Sequence, residues 1–201
     1  TQLDNIWKNE KYFLVLPSKR STFIQDYLHE INIARFDPMN YREKIKKLKN
    51  NKYIDVITKE EYLNYKNQKI QFFDLNSAFT NCSNFLQNLN KKNKEEKISL
   101  KEIKNIEELK MPFPEDKEDW NNTDYIEKAM ENLQEKVNGK YELMKFFIIE
   151  YIYEGDITAL LHILEEDIIR NYIFDHNVKY IGIDVRKYND EFIIVYINFA
   201  K

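Results

Sequence analysis

The sequence predicts an α+β domain in which helices pack against a short antiparallel sheet. Apolar residues recur at helical spacing through much of the first half and again after residue 123. The chain then ends in two runs rich in Ile, Val, Tyr and Phe, residues 179–188 and 191–200, joined by Asn189-Asp190, a pair suited to a tight hairpin turn. With 201 residues, 43% of them apolar, the chain is long enough to bury a core of its own.

The first two helices have clear start signals. Thr22 and Gln25 have the spacing of a capping box, and Asp37-Pro38 places an N-cap residue before a proline at the first helical position. The second helix is expected to end near Asn50-Asn51. Their apolar stripes consist of Phe23, Ile24, Tyr27, Leu28, Ile31 and Ala34 in the first helix, and of Tyr41, Ile45 and Leu48 in the second.

A third helix is predicted from Asn76 onward, after a polar stretch at 52–70 that the pattern leaves unassigned. Its apolar face consists of Phe79, Cys82, Phe85, Leu86 and Leu89. Because Cys82 lies on this face, we interpret it as a small buried hydrophobic residue rather than as a reactive thiol.

Residues 91–125 differ in composition from the rest and predict a charged, exposed insertion. The segment is rich in Lys and Glu and contains Met111-Pro-Phe-Pro114, followed by an acidic run at 115–119. Such a run is most often a solvated face. The alternative is a docking epitope formed by Phe113 and Trp120.

Three further elements precede the final hairpin. Asp124 and Glu127 predict a helix start with Gly139 as its C-cap, and Asp156 predicts the start of another helix. The dense apolar run at 144–153 is compatible with a buried helix or a buried strand. The apolar positions are Ile126, Met130, Leu133 and Val137 in the first of these helices, and Leu160, Leu161, Leu164, Ile168 and Ile169 in the other.

Residues 1–20 are predicted to form an N-terminal arm, and residues 21–201 a single domain. The arm contains Trp7 and an apolar run from Tyr12 and Phe13 to Leu16, closed by Pro17. This pattern is typical of a short strand or of a docked arm.

Composition excludes several classes of function. The net charge of -3 removes the general attraction to phosphate on which most nucleic-acid binders depend. No stretch approaches the ~20 apolar residues of a membrane span, so we predict a soluble protein. A single cysteine, Cys82, rules out an internal disulfide and favours an intracellular, cytoplasmic location. Three glycines, at 139, 155 and 182, do not make a phosphate-binding loop.

Two segments near the ends of the chain carry a family resemblance. Leu28-His-Glu-Ile-Asn32-Ile-Ala-Arg35-Phe-Asp-Pro38 resembles a Leu-x-x-His-Asn-x-x-Arg pattern followed by proline, and Lys179-Tyr-Ile-Gly-Ile-Asp-Val resembles the final strands of the same family. That family is the CAP superfamily of cysteine-rich secretory, antigen 5 and pathogenesis-related proteins. Ile31 stands where the family has histidine. His29 lies two residues earlier, about 200° away on a helix, and is expected to be exposed.

Two internal segments extend the resemblance. Ile149-Glu-Tyr-Ile152 is similar to the family's Gly-Glu-Asn-Ile signature, and 168–174 aligns with its Gly-His-Arg-x-Asn-Ile-Leu segment, with Ile169 in place of the histidine. The resemblance implies an α-β-α sandwich with a central cavity. It also implies that the metal-binding histidines are lost, so no metal and no cofactor is expected. The cavity residues implied are Glu150, Ile31, Ile169, Asn32 and Arg35.

The function we predict is that of a degenerate, non-enzymatic CAP-like binding or scaffold domain, a structural subunit of a larger protein assembly. Aromatic residues flanked by charge are typical of interfaces. The contact residues predicted on this ground are Trp7, Tyr12, Phe13, Phe113 and Trp120.

Two other functions stay open. One is a carrier of a small apolar ligand such as a sterol or fatty acid, which requires an apolar groove. The other is a residual hydrolase that uses Glu150 with His162. An exposed apolar patch on the arm and insertion would favour the scaffold, and an enclosed cavity lined by Phe and Ile would favour the carrier.

Overall fold

The structure, a computed structural model, mixes helix and sheet and describes residues 23–58, 60–151, 153–187 and 193–201. The predicted arm, with Trp7, Tyr12 and Phe13, and the turn at Asn189-Asp190 lie outside the described residues. The helices are α1 Phe23–Phe36, α2 Pro38–Asn50, α3 Leu75–Glu96, α4 Thr123–Val137, α5 Gly155–Leu164 and α6 Asp167–Ile173. The strands are β1 Tyr53–Ile54, β2 Glu61–Tyr65, β3 Gln68–Phe72, β4 Lys104–Asn105, β5 Leu143–Tyr151, β6 Tyr180–Lys187 and β7 Ile193–Ala200.

The larger sheet has four strands in the order β4, β6, β7, β5. β6 and β7 form the antiparallel pair that the sequence predicts, with Tyr180 opposite Ala200. β5 runs antiparallel to β7, so the ambiguous run at 144–153 is a strand as far as Tyr151. β4 is a short addition parallel to β6.

Both faces of this sheet are covered. Successive residues of a strand point to opposite faces, and Val195, Ile197 and Phe199 of β7 are buried in the main hydrophobic core under the helices. Ile194 and Tyr196 are buried in a separate cluster on the other side. We call these sides the helical face and the back face.

Helices α1 and α2 follow the sequence prediction closely. The Asp37 carboxylate accepts a hydrogen bond from the Asn40 amide (3.0 Å), and Pro38 is the first residue of α2. α1 packs against α5. The buried stripe of α1 includes Tyr27 and Ile31, as its periodicity predicts.

Other helix boundaries differ from those predicted. α3 continues to Glu96, so the first residues of the predicted insertion are helical. The N-cap of α4 is Asn122 rather than Asp124, because the Asn122 side chain accepts a hydrogen bond from the Tyr125 amide. Asp156 lies within the first turn of α5.

The helix predicted after Asp156 is in fact two helices. Residues 165–166 interrupt the helix and separate α5 from α6. Ile168, predicted to be a core position, is therefore exposed, whereas Ile169 is buried.

The unassigned stretch at 52–70 forms most of a second, three-stranded antiparallel sheet in the order β1, β2, β3. Leu63 and Ile70 insert into the main core. Lys66 and Asn67, with φ angles of 49° and 62°, make the two-residue turn between β2 and β3. Both residues lie in the left-handed region that such turns require.

The predicted insertion is not an exposed appendage, because residues 103–120 cover the back face. Met111 and Trp120 are buried. The Trp120 indole donates a hydrogen bond to the Pro114 carbonyl (2.9 Å), and the Tyr196 hydroxyl donates to the Trp120 carbonyl. The Phe113 ring stacks on Tyr196 with 3.7 Å between centroids. Phe113 and Trp120 are therefore anchored within the chain rather than presented to solvent as contact residues.

Candidate functional site

The five residues predicted to line a cavity do not surround one cavity. Ile31 is fully buried in the main core. Asn32 pairs with the backbone of Ile103, donating to its carbonyl (2.9 Å) and accepting from its amide (2.8 Å). Asn32 therefore fixes the start of the 103–120 segment on α1.

Arg35 is buried and bonded to backbone carbonyls. Its guanidinium donates to the carbonyl oxygens of Lys101 (2.8 Å), Ile173 (2.6 Å), Asp175 (2.9 Å) and Val178 (3.1 Å). Burial lowers the pKa of Arg35 to about 10. The side chain holds together three parts of the chain that approach the end of α1, which is a structural role.

The resemblance implies that Glu150 points into a central cavity. In the structure it does not point into the core. On β5, Phe147 and Ile149 contact the main core, whereas Phe146 and Ile148 contact the back-face cluster. By the same alternation Glu150 belongs to the back-face side. It is exposed there, and its carboxylate accepts a hydrogen bond from the side-chain amide of Asn121 (3.3 Å).

Glu150 and Ile169 do line one feature together, which we call the edge groove. This open groove has a volume of about 640 Å³ and lies between β5, β3 and the junction of α5 and α6. Its apolar lining includes Ile70, Phe147, Ile149, Tyr153, Leu161 and Ile169. Glu150, Glu165 and Glu166 make its rim acidic. Burial, and then the neighbouring Glu166 charge, raise the pKa of Glu165.

A buried charged cluster joins α1, α2 and β2. The Glu30 carboxylate accepts hydrogen bonds from the Tyr41 hydroxyl (2.8 Å) and the Lys44 ammonium (2.6 Å), and Lys44 also donates to the Tyr65 hydroxyl (3.3 Å). Burial lowers the pKa of Lys44 to about 8, against the opposing effect of Glu30. These groups bond to one another, so the cluster acts as a tether.

The sequence pattern carries a signal of this tether that the apolar stripes alone do not give. Glu30 lies three residues after Tyr27, and Lys44 lies three residues after Tyr41. That spacing places both charges on the apolar stripes of their helices. A charge on such a stripe indicates a buried partner.

His162 and Cys82 are held inside the fold. His162 has no exposed surface, and its Nδ1 lies 2.7 Å from the Tyr27 hydroxyl. Burial lowers the pKa of His162 to about 3. His29 is half-buried rather than exposed as predicted, and burial lowers its pKa. Cys82 is buried in the core, as predicted, and burial raises its pKa to about 12.

Large apolar side chains stand in solvent at one end of the small sheet. Val56 is 87% exposed, Ile57 is 93% exposed and Phe73 is fully exposed. Ile54 is opposite Glu61, which is opposite Phe72, so β1 and β3 end at the same end of the small sheet, on either side of β2. We call Ile54, Val56, Ile57 and Phe73 the apolar tip.

Hydrogen bonds hold the loop of the apolar tip in shape. The Asp55 carboxylate accepts from the amides of Ile57 (2.8 Å) and Thr58 (3.1 Å), and the Asp55 amide donates to the Glu60 carbonyl (2.9 Å). The bonds from Thr58 and Ile57 lower the pKa of Asp55. Val56 and Ile57 are therefore presented on a turn that these hydrogen bonds hold in shape.

In the part of the chain that the structure describes, no three His, Cys, Asp or Glu side chains are grouped so as to hold a metal ion. None of the helices described there combines the length and the apolar character that crossing a bilayer requires. Comparisons with protein-family models, curated proteins and solved structures gave no match. The CAP resemblance stays a prediction.

Proposed function

We propose that this chain is a non-enzymatic protein-binding module, a structural subunit of a larger assembly, and that it binds through the apolar tip. Burying a side chain such as Val, Ile or Phe is favourable by about 1.5–3 kcal/mol. Four such side chains exposed at one end of the small sheet are typical of an interaction site. The tip is the observation that carries this proposal.

The placement of the polar residues supports a function without catalysis. Arg35 and Asn32 are bonded to backbone groups, and His162 and Lys44 are bonded to tyrosines inside the fold. A catalytic acid or base has to reach a substrate. The residual hydrolase that would pair Glu150 with His162 is disfavoured, because one side chain is exposed on the back-face side and the other is buried among the helices.

We also propose a degenerate CAP-like sandwich as the fold. The support is a mainly antiparallel sheet covered on both faces, and a first helix whose Asn32 and Arg35 organise the chain around it. The exposed patch expected of a scaffold lies on the apolar tip rather than on the insertion.

A second candidate is a carrier of a small apolar ligand. The edge groove supports it, since its floor is apolar and its volume of about 640 Å³ suits a lipid-sized molecule. Its acidic rim would repel the carboxylate of a fatty acid. A neutral ligand such as a sterol is therefore the better fit.

Native mass spectrometry of the chain isolated from its own cells tests the proposed function. We expect stoichiometric protein partners on the unchanged chain. The double substitution Val56→Asp and Ile57→Asp should weaken that complex by about 30-fold or more, which corresponds to losing an interface hot spot.

Phe36→Asp is the matched control, because Phe36 is a single exposed apolar residue outside the tip. This variant should keep its partners. A chain that carries a lipid mass and no protein would instead favour the carrier. Partners that survive the double substitution would remove the apolar tip from the proposal.

A further inference from the structure

We propose that the edge groove takes up an extended segment of a protein partner, which adds to β5 as a further strand and presents apolar side chains together with Lys or Arg. This inference rests on the proposed function and names a second contact and its chemistry. Strand addition is a common mode of peptide recognition.

β5 lies at an edge of the four-stranded sheet. It is the last strand of the order β4, β6, β7, β5, and among the described residues β7 is its one strand partner. Its nine residues contain no proline. A long edge strand exposes a row of backbone donors and acceptors that another strand can pair with.

The edge groove runs along β5. Four consecutive residues of β5, 147–150, line it. Consecutive side chains point to opposite faces of a sheet, so a wall made of all four is the edge of the strand rather than one face. The groove therefore follows the backbone that an added strand would pair with.

The walls of the edge groove are largely apolar. Phe147, Ile149 and Tyr153 line one side of the groove, and Leu161 and Ile169 line the side formed by α5 and α6. These surfaces suit apolar side chains at alternate positions of an extended segment. Small polar ligands would leave most of this surface in water.

The rim of the edge groove is negatively charged. Glu150, Glu165 and Glu166 are exposed carboxylates. A segment with Lys or Arg next to its apolar residues complements this rim, and an acidic segment is repelled by it. The same carboxylates attract a basic segment and repel the carboxylate of a fatty acid.

The test uses the full chain and two fluorescent peptides of about ten residues, matched in length to the edge strand. One alternates Val with Lys, and the other alternates Val with Glu. Fluorescence anisotropy should show binding of the Lys peptide with a Kd between about 10 μM and 1 mM, and no binding of the Glu peptide in that range. Hydrogen exchange of amides 145–150 should slow when the Lys peptide binds.

Charge reversal at Glu165→Lys and Glu166→Lys should weaken binding of the Lys peptide at least tenfold. The pair Glu131→Lys and Glu135→Lys makes the same charge change on the exposed side of α4 and should leave binding unchanged. A Lys peptide whose alternate amides are N-methylated should not bind, because it cannot pair with an edge.

The proposal is overturned if the Lys peptide fails to slow exchange in β5, or if the Glu peptide binds equally well. It is also overturned if the amides of the free edge are already as slow as those of β7, since the edge would then be covered. If the peptide binds but the chain has no native partners, the proposal for the edge groove stands and the proposed function fails. If native partners are found but the peptide does not bind, the proposed function stands and the proposal for the edge groove fails.

Discussion

The two faces of the four-stranded sheet are both buried, but different kinds of structure cover them. Helices cover the helical face, where Ile197 and Phe199 meet a continuous core. Residues 103–120, largely irregular, cover the back face together with α4, and Tyr196 and Trp120 are bonded there through backbone carbonyls. Regular and irregular segments thus bury one sheet equally well when their polar backbone groups are paired.

The faces also share one device, which is a glycine at the closest approach of two backbones. A Cβ on Gly155 would lie 2.0 Å from the Phe23 carbonyl oxygen, where α5 meets α1. A Cβ on Gly182 would lie 2.2 Å from the Leu109 carbonyl oxygen on the back face. Both coverings therefore depend on contacts that no other residue permits.

The largest expected effect comes from filling these contacts. Gly155→Ala and Gly182→Ala should each lower the free energy of unfolding by about 4–5 kcal/mol, because the clashing atoms are backbone and cannot move aside cheaply. Urea denaturation followed by circular dichroism measures this. Gly139→Ala is the control, since a Cβ there meets nothing within 4 Å and costs only the strain of a φ of +79°, about 1 kcal/mol.

An equal loss at Gly155 and Gly182 would show that the irregular cover contributes as much to stability as the helical one. A loss below that of Gly139→Ala at Gly182 would mean that the back-face segment lifts off at little cost.

The next largest effect is expected at the centre of the back face. Trp120→Ala should lower the free energy of unfolding by about 3 kcal/mol, because it empties a packed site between Phe113 and the sheet. Circular dichroism in urea again provides the measurement, as the substitution removes a fluorophore. Glu118→Ala, at an exposed position in the same segment, is the control for a truncation that empties no packed site. An unchanged free energy of unfolding in Trp120→Ala would instead support the exposed insertion that the sequence predicts.

The helical face was predictable because its signals are local. Asp37-Pro38 marks a helix start by chemistry alone, and the stripe containing Tyr27 and Ile31 has a regular period. Residues 103–120 have no such period, since tertiary contacts that composition does not report bury Leu109 and Met111 on the back face. The many Lys and Glu residues around Leu109 and Met111 are what predict an exposed insertion.

The candidate site was less predictable for a related reason. The face on which Glu150 lies depends on the type and register of its element, and a shift of one residue in a strand moves a side chain to the opposite face. The sequence left helix and strand open at 144–153. The apolar tip escaped notice because the stretch around Val56 and Ile57 is polar on average, and exposure of two residues is a property of the fold.

The smallest of these effects is a dependence of stability on pH that we expect from the helical face. His162 lies in the helical layer with its pKa lowered to about 3 by burial, from 6.5, so the folded chain binds fewer protons than the unfolded chain between these values. Stability therefore falls as the pH drops through this window. Between about pH 7.5 and pH 5 the loss attributable to His162 should be about 2 kcal/mol. Urea titrations across this range measure it.

His162→Phe should flatten that part of the profile while losing the bond to Tyr27 at every pH. Trp120→Ala should shift the whole curve down without changing its slope, because it removes packing on the back face and no titrating group. A slope that survives His162→Phe would assign the acid sensitivity to other groups, such as His29, whose pKa burial also lowers. The helical face would then owe its pH dependence to the surface of α1 and not to its core.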